Sequence, residues 1–356
     1  MWSRGRRSKR RSAVQHAVAE WGPAVDVLRY RDVAPAGHRK LLMAAAEQRG
    51  LEVVRVGNGF LGVHEGRAIV GFANMVPHTT SRIAERLCAS KHRALRLLRA
   101  AGLPVPQGRD FTLDDPVAAE EFASELGWPV VVKPTSMHGG QGVIVGVDSS
   151  QAFLDAWEAV STVVGTSSER RILVEKEHEG IDLRVYVVGS RAIAAVVRLP
   201  AYVRGDGRSE VAALVELKNT ERLQHPYLRR SPIVIDEEVA RLLARQGLTL
   251  DSVPGRGEFV LLRRSSNVSL GGENVDVTDT IASVIGDLAV NAVDAIPGLD
   301  IAGVDILLPN VSSVGGVVIE INTSANLTMH HFPVVGKPRD VADAVIGRLM
   351  DQRRGQ

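Results

Sequence analysis

The chain has 356 residues, 45% of them hydrophobic, 24% charged and 4% aromatic, a balance that fits a soluble globular protein and excludes a disordered or fibrous one. Basic and acidic residues nearly cancel, 43 against 41, and six of the bases (Arg4, Arg6, Arg7, Lys9, Arg10, Arg11) fall in the first eleven positions. The remainder lacks the concentrated basic face of a nucleic-acid binder, no run of 18 apolar residues offers a membrane span, and no apolar stretch follows the basic start as in a secretory signal. A cytoplasmic protein is expected. The single cysteine, Cys88, excludes an internal disulfide and a cysteine-built metal site.

Residues 1 to about 20 read as a basic disordered tail, and 21–87 as a small α/β domain. That domain opens with a helix from His38 to Gly50 and a strand from Leu51 to Val56, and further short strands end near Phe72. A helix from Ser90 to Ala101 stops at Gly102, and another starts at Asp115-Pro116 and stops at Gly127. Strands follow at Pro129 to Lys133 and Val143 to Val147, then a helix near Ala152 to Val160 and a strand from Arg171 to Lys176. Two longer strands, Leu183 to Val188 and Ala192 to Leu199, meet at Gly189-Ser190 as a hairpin. Beyond them lie a helix from Asp236 to Gln246, a strand from Gly257 to Arg263 and a helix from Thr278 to Ile296. Strands at Ala302 to Leu308 and Val317 to Ile321 and a closing helix from Pro338 to Met350 complete the chain. The class is α+β with much antiparallel sheet.

Seven lysines stand against 36 arginines, which singles out Lys133 at the end of the apolar run Pro129 to Val132. An unpaired ammonium there costs several kcal/mol, unless it snorkels to solvent. The segment after it, Ser136-Met137-His138-Gly139-Gly140-Gln141-Gly142, reads as a glycine-rich flap between two strands. Its N–H groups could close over phosphate oxygens while Lys133 supplies a point charge; a plain flexible hairpin is the alternative.

Gly303 to Leu308 and Val317 to Asn322 read as two arms of a hairpin. With Leu308 opposite Val317, Asp305 faces Glu320, and Asn322 shares their side of the sheet. Two facing carboxylates need a cation or a shared proton between them, and two acids with an amide suit Mg²⁺ completed by water and phosphate. A surface-facing acidic pair is the competing reading. The joint from Glu175 through Lys176, Glu177 and His178 to Asp182 could hold a planar base and a ribose, or be an ordinary charged loop. Arg184 and Arg198, lone charges on apolar strands, imply an anionic ligand or a buried ion pair.

In chain order, Lys91, Lys133 with its flap, the Glu175 to Asp182 joint and the Asp305, Glu320, Asn322 trio resemble the ATP-grasp superfamily over about residues 88–352. Within it, Arg198-Leu199-Pro200-Ala201, Gln246 to Pro254, Leu262 to Gly272 and Met329-His330-His331-Phe332-Pro333 resemble the ATP-grasp modules of cyanophycin synthetase and of bifunctional glutathione synthetase. The resemblance implies two α/β lobes gripping ATP, 88–178 carrying the nucleotide flap and 179–352 the metal and substrate side. It implies that Lys91, Lys133, Ser136, Gly139, Gly140 and Gly142 hold phosphates, that Glu175, Lys176, Glu177 and His178 hold adenine and Asp182 the ribose, and that Asp305, Glu320 and Asn322 bind Mg²⁺, with Mn²⁺ as another hard ion. Arg184, Arg198 and Arg264 are the candidates for holding the phosphoryl group or substrate carboxylates.

The implied reaction joins a small-molecule carboxylate to an amine at the expense of ATP, with a homo-oligomer as a further option. Two positions depart from relatives: Ser90 stands where many have Asp, and Gly303 where D-alanine:D-alanine ligases have an arginine. These 356 residues contain neither the P-loop ligase domain of cyanophycin synthetase nor the ligase that precedes the glutathione module, so a stand-alone amino-acid or peptide ligase is expected. A phosphotransferase and a non-catalytic nucleotide-binding partner are the rival readings.

Overall fold

A computed structural model describes residues 12–136, 142–165 and 170–354. The first unit holds α1 (Ala13–Trp21), α2 (His38–Gln48) and the antiparallel meander β1 (Glu52–Val56), β2 (Gly59–His64), β3 (Arg67–Ala73) and β4 (Val76–Pro77). Two helices, α3 (Arg82–Cys88) and α4 (Lys91–Ala100), lead into a small lobe. It contains β5 (Gly108–Thr112), α5 (Pro116–Leu126), β6 (Val130–Pro134), β7 (Ile144–Val147), α6 (Ser150–Val164) and β8 (Arg171–Lys176), with strand order β5-β8-β6-β7. The large lobe begins with β9 (Ile181–Val188), β10 (Arg191–Leu199), β11 (Tyr202–Arg204), α7 (Val211–Leu223) and α8 (Glu237–Arg245). It continues with β12 (Phe259–Leu261), β13 (Glu273–Asp276), α9 (Ser283–Asp294), β14 (Ile301–Leu308), β15 (Val317–Asn322), α10 (Thr328–His331) and α11 (Val341–Arg354).

The large lobe is organised by one antiparallel sheet, β13-β10-β9-β14-β15, whose two faces are read off by alternation. On β9, Leu183, Val185 and Val187 enter a core shared with Ile285, Ala289, Ala292 and Val293 of α9 and with Ala17 and Val18 of α1. The opposite face takes Tyr186 and Val188 into a second core, with Leu42, Ala45 and Ala46 of α2, Phe60 and Phe72 of the meander, and Val341, Val345 and Leu349 of α11. The N-terminal α/β unit therefore shares its core with the C-terminal helix, and Arg49 clasps Asp343 through two hydrogen bonds of 2.6 and 2.8 Å. In the small lobe, Phe153, Trp157 and Val160 of α6 and Ala119 and Ala123 of α5 cover Val130, Val132, Ile172 and Val174 of the sheet.

Three expectations are corrected. Residues 13–20 are not tail: they belong to α1, whose Ser12 and Gln15 form a capping box and whose Ala17 and Val18 are buried. The helix expected from Thr278 starts at Ser283, because the Thr278 hydroxyl is bonded to Asp276 and to the Ala195 backbone and holds this stretch in turns. The strand expected over Gly257 to Arg263 narrows to Phe259–Leu261. Among the described residues, no helix is long and apolar enough to cross a membrane.

Candidate active site

The end of the sheet that carries β9 residues 182 and 184 opens into a cavity of about 1630 Å³, which both lobes line. Here the face that elsewhere takes Tyr186 and Val188 carries charge. Register places Asp182 opposite Arg198, and Arg184 opposite Asp305 on its other side. Arg184 donates from Nε and Nη2 to the two oxygens of Asp305, each at 2.7 Å. Arg198 bonds Asp182 and reaches Asp305 Oδ2 at 2.9 Å. Burial works to raise the Asp305 carboxyl, but Arg184 and Arg198 outweigh it and hold it well below the usual range. Burial lifts Asp182 above its ordinary value, against the pull of Arg198. Both arginines are thus ion-paired, as one of the two sequence alternatives had it, and both also line the cavity.

Asp305 does face Glu320, and Gly303 faces Asn322. Leu308 does not oppose Val317, however: Val317 pairs with Leu307 and Val318 with Ile306, so a bulge falls at Ile319. The extra residue shifts the alternation, putting Val318 and Ile321 into the core and Glu320 and Asn322 onto the cavity wall beside Asp305. As donors, two carboxylates and an amide oxygen on adjacent strands fit a hard divalent ion that takes its remaining ligands from phosphate and water. Asn322 Nδ2 is buried without a hydrogen-bond partner, so that amide donor does not tie the residue to the sheet. Among the described residues no group of three or more His, Cys, Asp or Glu could hold a metal, and this trio contains only two.

From the small lobe, β6 delivers Lys133, 6% exposed, and β8 delivers Glu175, 4% exposed; the two form a buried ion pair. The other Glu175 oxygen is buried with no partner. Lys91, first residue of α4, approaches Glu320 Oε1 at 3.1 Å. Glu177 accepts a 2.6 Å hydrogen bond from the Gly146 N–H, and Arg264 reaches across from the large lobe to 3.7 Å from the same carboxylate. A Cβ at Gly146, whose φ is +69°, would stand 2.3 Å from Arg264 Nη1, so only glycine admits this crossing. His178 also lines the cavity.

Lys176 lies on the wall, but its ammonium is spent on the carbonyls of Gly127 and Trp128, at 2.7 and 3.2 Å, and its N–H on Gln107. Gly139 and Gly140 lie outside the described residues; Ser136 and Gly142 flank them, and the described cavity wall includes neither.

Sequence reasoning missed the wall opposite. Tyr227 and Arg230 line the cavity, and so do Arg39 in the first turn of α2 and Ser12 to Gln15 at the start of α1. The Tyr227 hydroxyl is pushed up by burial while the charges of Arg184, Arg198 and Arg222 pull it down. Only the capping box at Ser12 carried a sequence signal for this side.

A family model described as phosphoribosylglycinamide synthetase, ATP-grasp (A) domain, matches residues 89–200. Cyanophycin synthetase of Nostoc sp. is 34% identical over 333 residues, covering 90% of this chain and 36% of the relative. The glutathione biosynthesis bifunctional protein of Mannheimia succiniciproducens is 34% identical over 328 residues, covering 87% of this chain and 42% of the relative. The chain thus spans little more than a third of the first of these and two fifths of the second. The crystal structure of a bifunctional glutathione synthetase from Pasteurella multocida superposes with a TM-score of 0.64 at 28% identity, covering 91% of this chain and 45% of that one. Two lobes around a shared cleft, the matched domain and these relatives agree: the chain belongs to the ATP-grasp superfamily.

Proposed function

We propose that the protein is an ATP-dependent carboxylate–amine ligase that makes an amide or peptide bond on amino-acid or peptide substrates. The observation that carries this reading is the matching of cations to carboxylates around one cavity: Lys91 with Glu320, Lys133 with Glu175, Arg184 with Asp305, Arg198 with Asp182 and Arg264 with Glu177. A nucleotide arriving with a divalent ion exchanges partners on both sides. Its phosphates would satisfy Lys91 and Lys133, while Glu320 and Asp305 would hold the ion and release Arg184 and Arg198 to the substrate, so charge stays balanced in a site of low dielectric.

In this reading Lys91 and Lys133 hold the phosphates, Glu175 and the backbone near Glu177 and His178 the adenine, and Asp182 the ribose. Asp305, Glu320 and Asn322 would hold Mg²⁺ or Mn²⁺, which supplies charge neutralisation on the transferring phosphoryl group. A substrate carboxylate oxygen attacks the γ-phosphorus, the bond to the ADP oxygen breaks, and an acyl phosphate results. The amine then attacks the acyl carbon, loses a proton, and phosphate leaves with the electron pair of the C–O bond. Arg184 and Arg198, already fixed by the sheet, meet the negative charge that grows on the carbonyl oxygen, so stabilisation needs no reorganisation. Gly303 removes any side chain from the space over which Arg184 lies. A cytoplasmic enzyme acting without nucleic acid completes the reading.

A screen of carboxylate and amine pairs following ADP release tests it. With the correct carboxylate, hydroxylamine should trap the acyl phosphate as a hydroxamate, and ADP should form without AMP. A stable phosphate ester would instead make the protein a phosphotransferase, and accumulating AMP would mean adenylation; either outcome defeats the ligase reading and leaves the fold untouched.

A further inference from the structure

Between α7 and α8 the chain passes along the cavity as a short segment, Pro226 to Ser231, that brings Tyr227 and Arg230 to its wall. Such a segment has few backbone partners of its own, and three side chains from α7 and its end supply them. At the far end, Asn219 holds Ile233 through both amide groups, accepting from its N–H at 2.8 Å and donating to its carbonyl at 2.9 Å. Arg222, 1% exposed, donates from Nε and Nη2 to the Ser231 carbonyl at 3.0 and 2.6 Å. At the near end stands His225, completely buried. Its Nδ1 accepts from the N–H of Tyr227 at 3.2 Å and of Leu228 at 3.1 Å.

These two N–H groups begin the single 3-10 turn Leu228–Arg230, for which no other side chain acts as a cap. An acceptor at Nδ1 requires the neutral ring with its proton on Nε2. Tyr30 packs edge-on against the ring, with centroids 5.5 Å apart at 88°, so the imidazole cannot swing away. Asp, Asn or Ser ordinarily serves such a turn from its first position.

We propose that His225 is a positioning residue: its Nδ1 fixes the turn that presents Tyr227 and Arg230 to the substrate, beside the Arg184 and Arg198 pair. The proposal rests on the reading of this cavity as the ligase substrate site. It concerns the wall that the nucleotide residues do not form, and nothing in the ATP contacts depends on it.

Amide hydrogen exchange of the full chain, read by mass spectrometry with MgADP present, tests the proposal on two variants. His225→Phe keeps a planar ring but leaves the buried Leu228 N–H and the part-buried Tyr227 N–H without their acceptor, so exchange across residues 226–231 should quicken by about tenfold or more. Fragments from α8 and β8 should exchange as before, and calorimetric MgADP affinity should stay within about twofold, as expected for a change outside the nucleotide contacts. His225→Asn, whose side-chain oxygen can reach the same N–H groups, should restore protection. Wild-type exchange in the Phe variant would overturn the proposal, as would equal acceleration in both variants spreading through α7, which would make His225 a space-filler. If the Phe variant does not fold, the nitrogen NMR shifts of the wild-type ring decide: a proton on Nδ1 overturns the proposal and one on Nε2 sustains it. Failure of the wild type to bind MgADP would count against the ligase reading instead, with the exchange result still standing.

Discussion

The side chain of Arg184 lies across Gly303 on the neighbouring strand: a Cβ built at 303 would stand 3.5 Å from Arg184 Cδ and 2.5 Å from the Ala325 methyl. The first contact is ordinary and the second is not tolerable, so the glycine is required by Ala325 and not by the arginine. Gly303→Ala should push the strand or the Ala325 loop away from the Arg184–Asp305 pair. Turnover should fall at least tenfold, and stability by about 1–3 kcal/mol, as is usual for overpacking. The double change with Ala325→Gly removes the clash and should recover most of both; additive losses would show that the contact is not what constrains position 303.

The Lys133–Glu175 pair changes what a lysine substitution means. From sequence alone, Lys133→Ala is expected to weaken ATP binding and leave the fold intact. The structure adds a cost, because the partner carboxylate is 4% exposed and would be left buried and unpaired, at about 3 kcal/mol or more. Lys133→Ala should therefore lower both denaturation midpoint and ATP affinity. Lys133→Ala combined with Glu175→Ala should regain stability without regaining affinity for ATP. Calorimetry and urea unfolding on both variants check this, and recovered ATP affinity in the double variant would remove Lys133 from the phosphate site.

Deleting residues 1–11 should leave stability and turnover unchanged, since that stretch carries six basic residues and no apolar periodicity. Deleting 1–20 goes further than a tail. It strips Val18, 1% exposed, and Ala17, 3% exposed, from the main core and takes Ser12 to Gln15 off the cavity wall. Losing one buried valine-sized side chain with its neighbours costs roughly 2–4 kcal/mol. Thermal unfolding of the two truncations should separate them by several degrees, and equal midpoints would mean that α1 contributes nothing.

The pattern of success in reading the sequence follows from distance along the chain. Asp305 opposite Glu320 was legible only through two offsetting slips: Val317 pairs with Leu307 and not with Leu308, and the extra residue at the bulge restores the match at Glu320. The bulge at Ile319 was not, because period-two alternation tolerates one extra residue without changing composition. Lys133 stood out as a lone charge in an apolar run, yet its partner Glu175 lies 42 residues on, and Lys176 turned out to serve two carbonyls of a distant turn. Helix α1 was hidden by the basic run before it, although Ser12 and Gln15 spelled its cap. The wall built by Tyr227 and Arg230 gave no signal: its order comes from Asn219, Arg222 and His225, which resemble any polar residues at a helix end until their burial is known.

Two buried histidines give the protein a definite response to acid. Burial holds His225 at about 4 and His330 at about 3, below the ordinary 6.5, so the fold keeps both rings neutral while the unfolded chain takes up protons. With more protons bound in the unfolded state, stability falls as pH drops below about 6.5 and keeps falling until the folded values are reached. Between pH 7 and 5 each ring should cost about 2 kcal/mol. The carboxylates held low by arginine, such as Asp305, add nothing in that window, because their stabilising share is lost only below about pH 4. These two rings should therefore contribute about 4 kcal/mol to the fall in urea unfolding free energy between pH 7 and 5, and His38, lowered to about 4 by burial, should add about as much as either one. His225→Asn, which cannot titrate, should show a fall about 2 kcal/mol smaller than that of the wild type. A variant that loses as much as the wild type would mean that His225 is protonated in the fold at pH 5, and its Nδ1 could then accept neither the Tyr227 nor the Leu228 N–H.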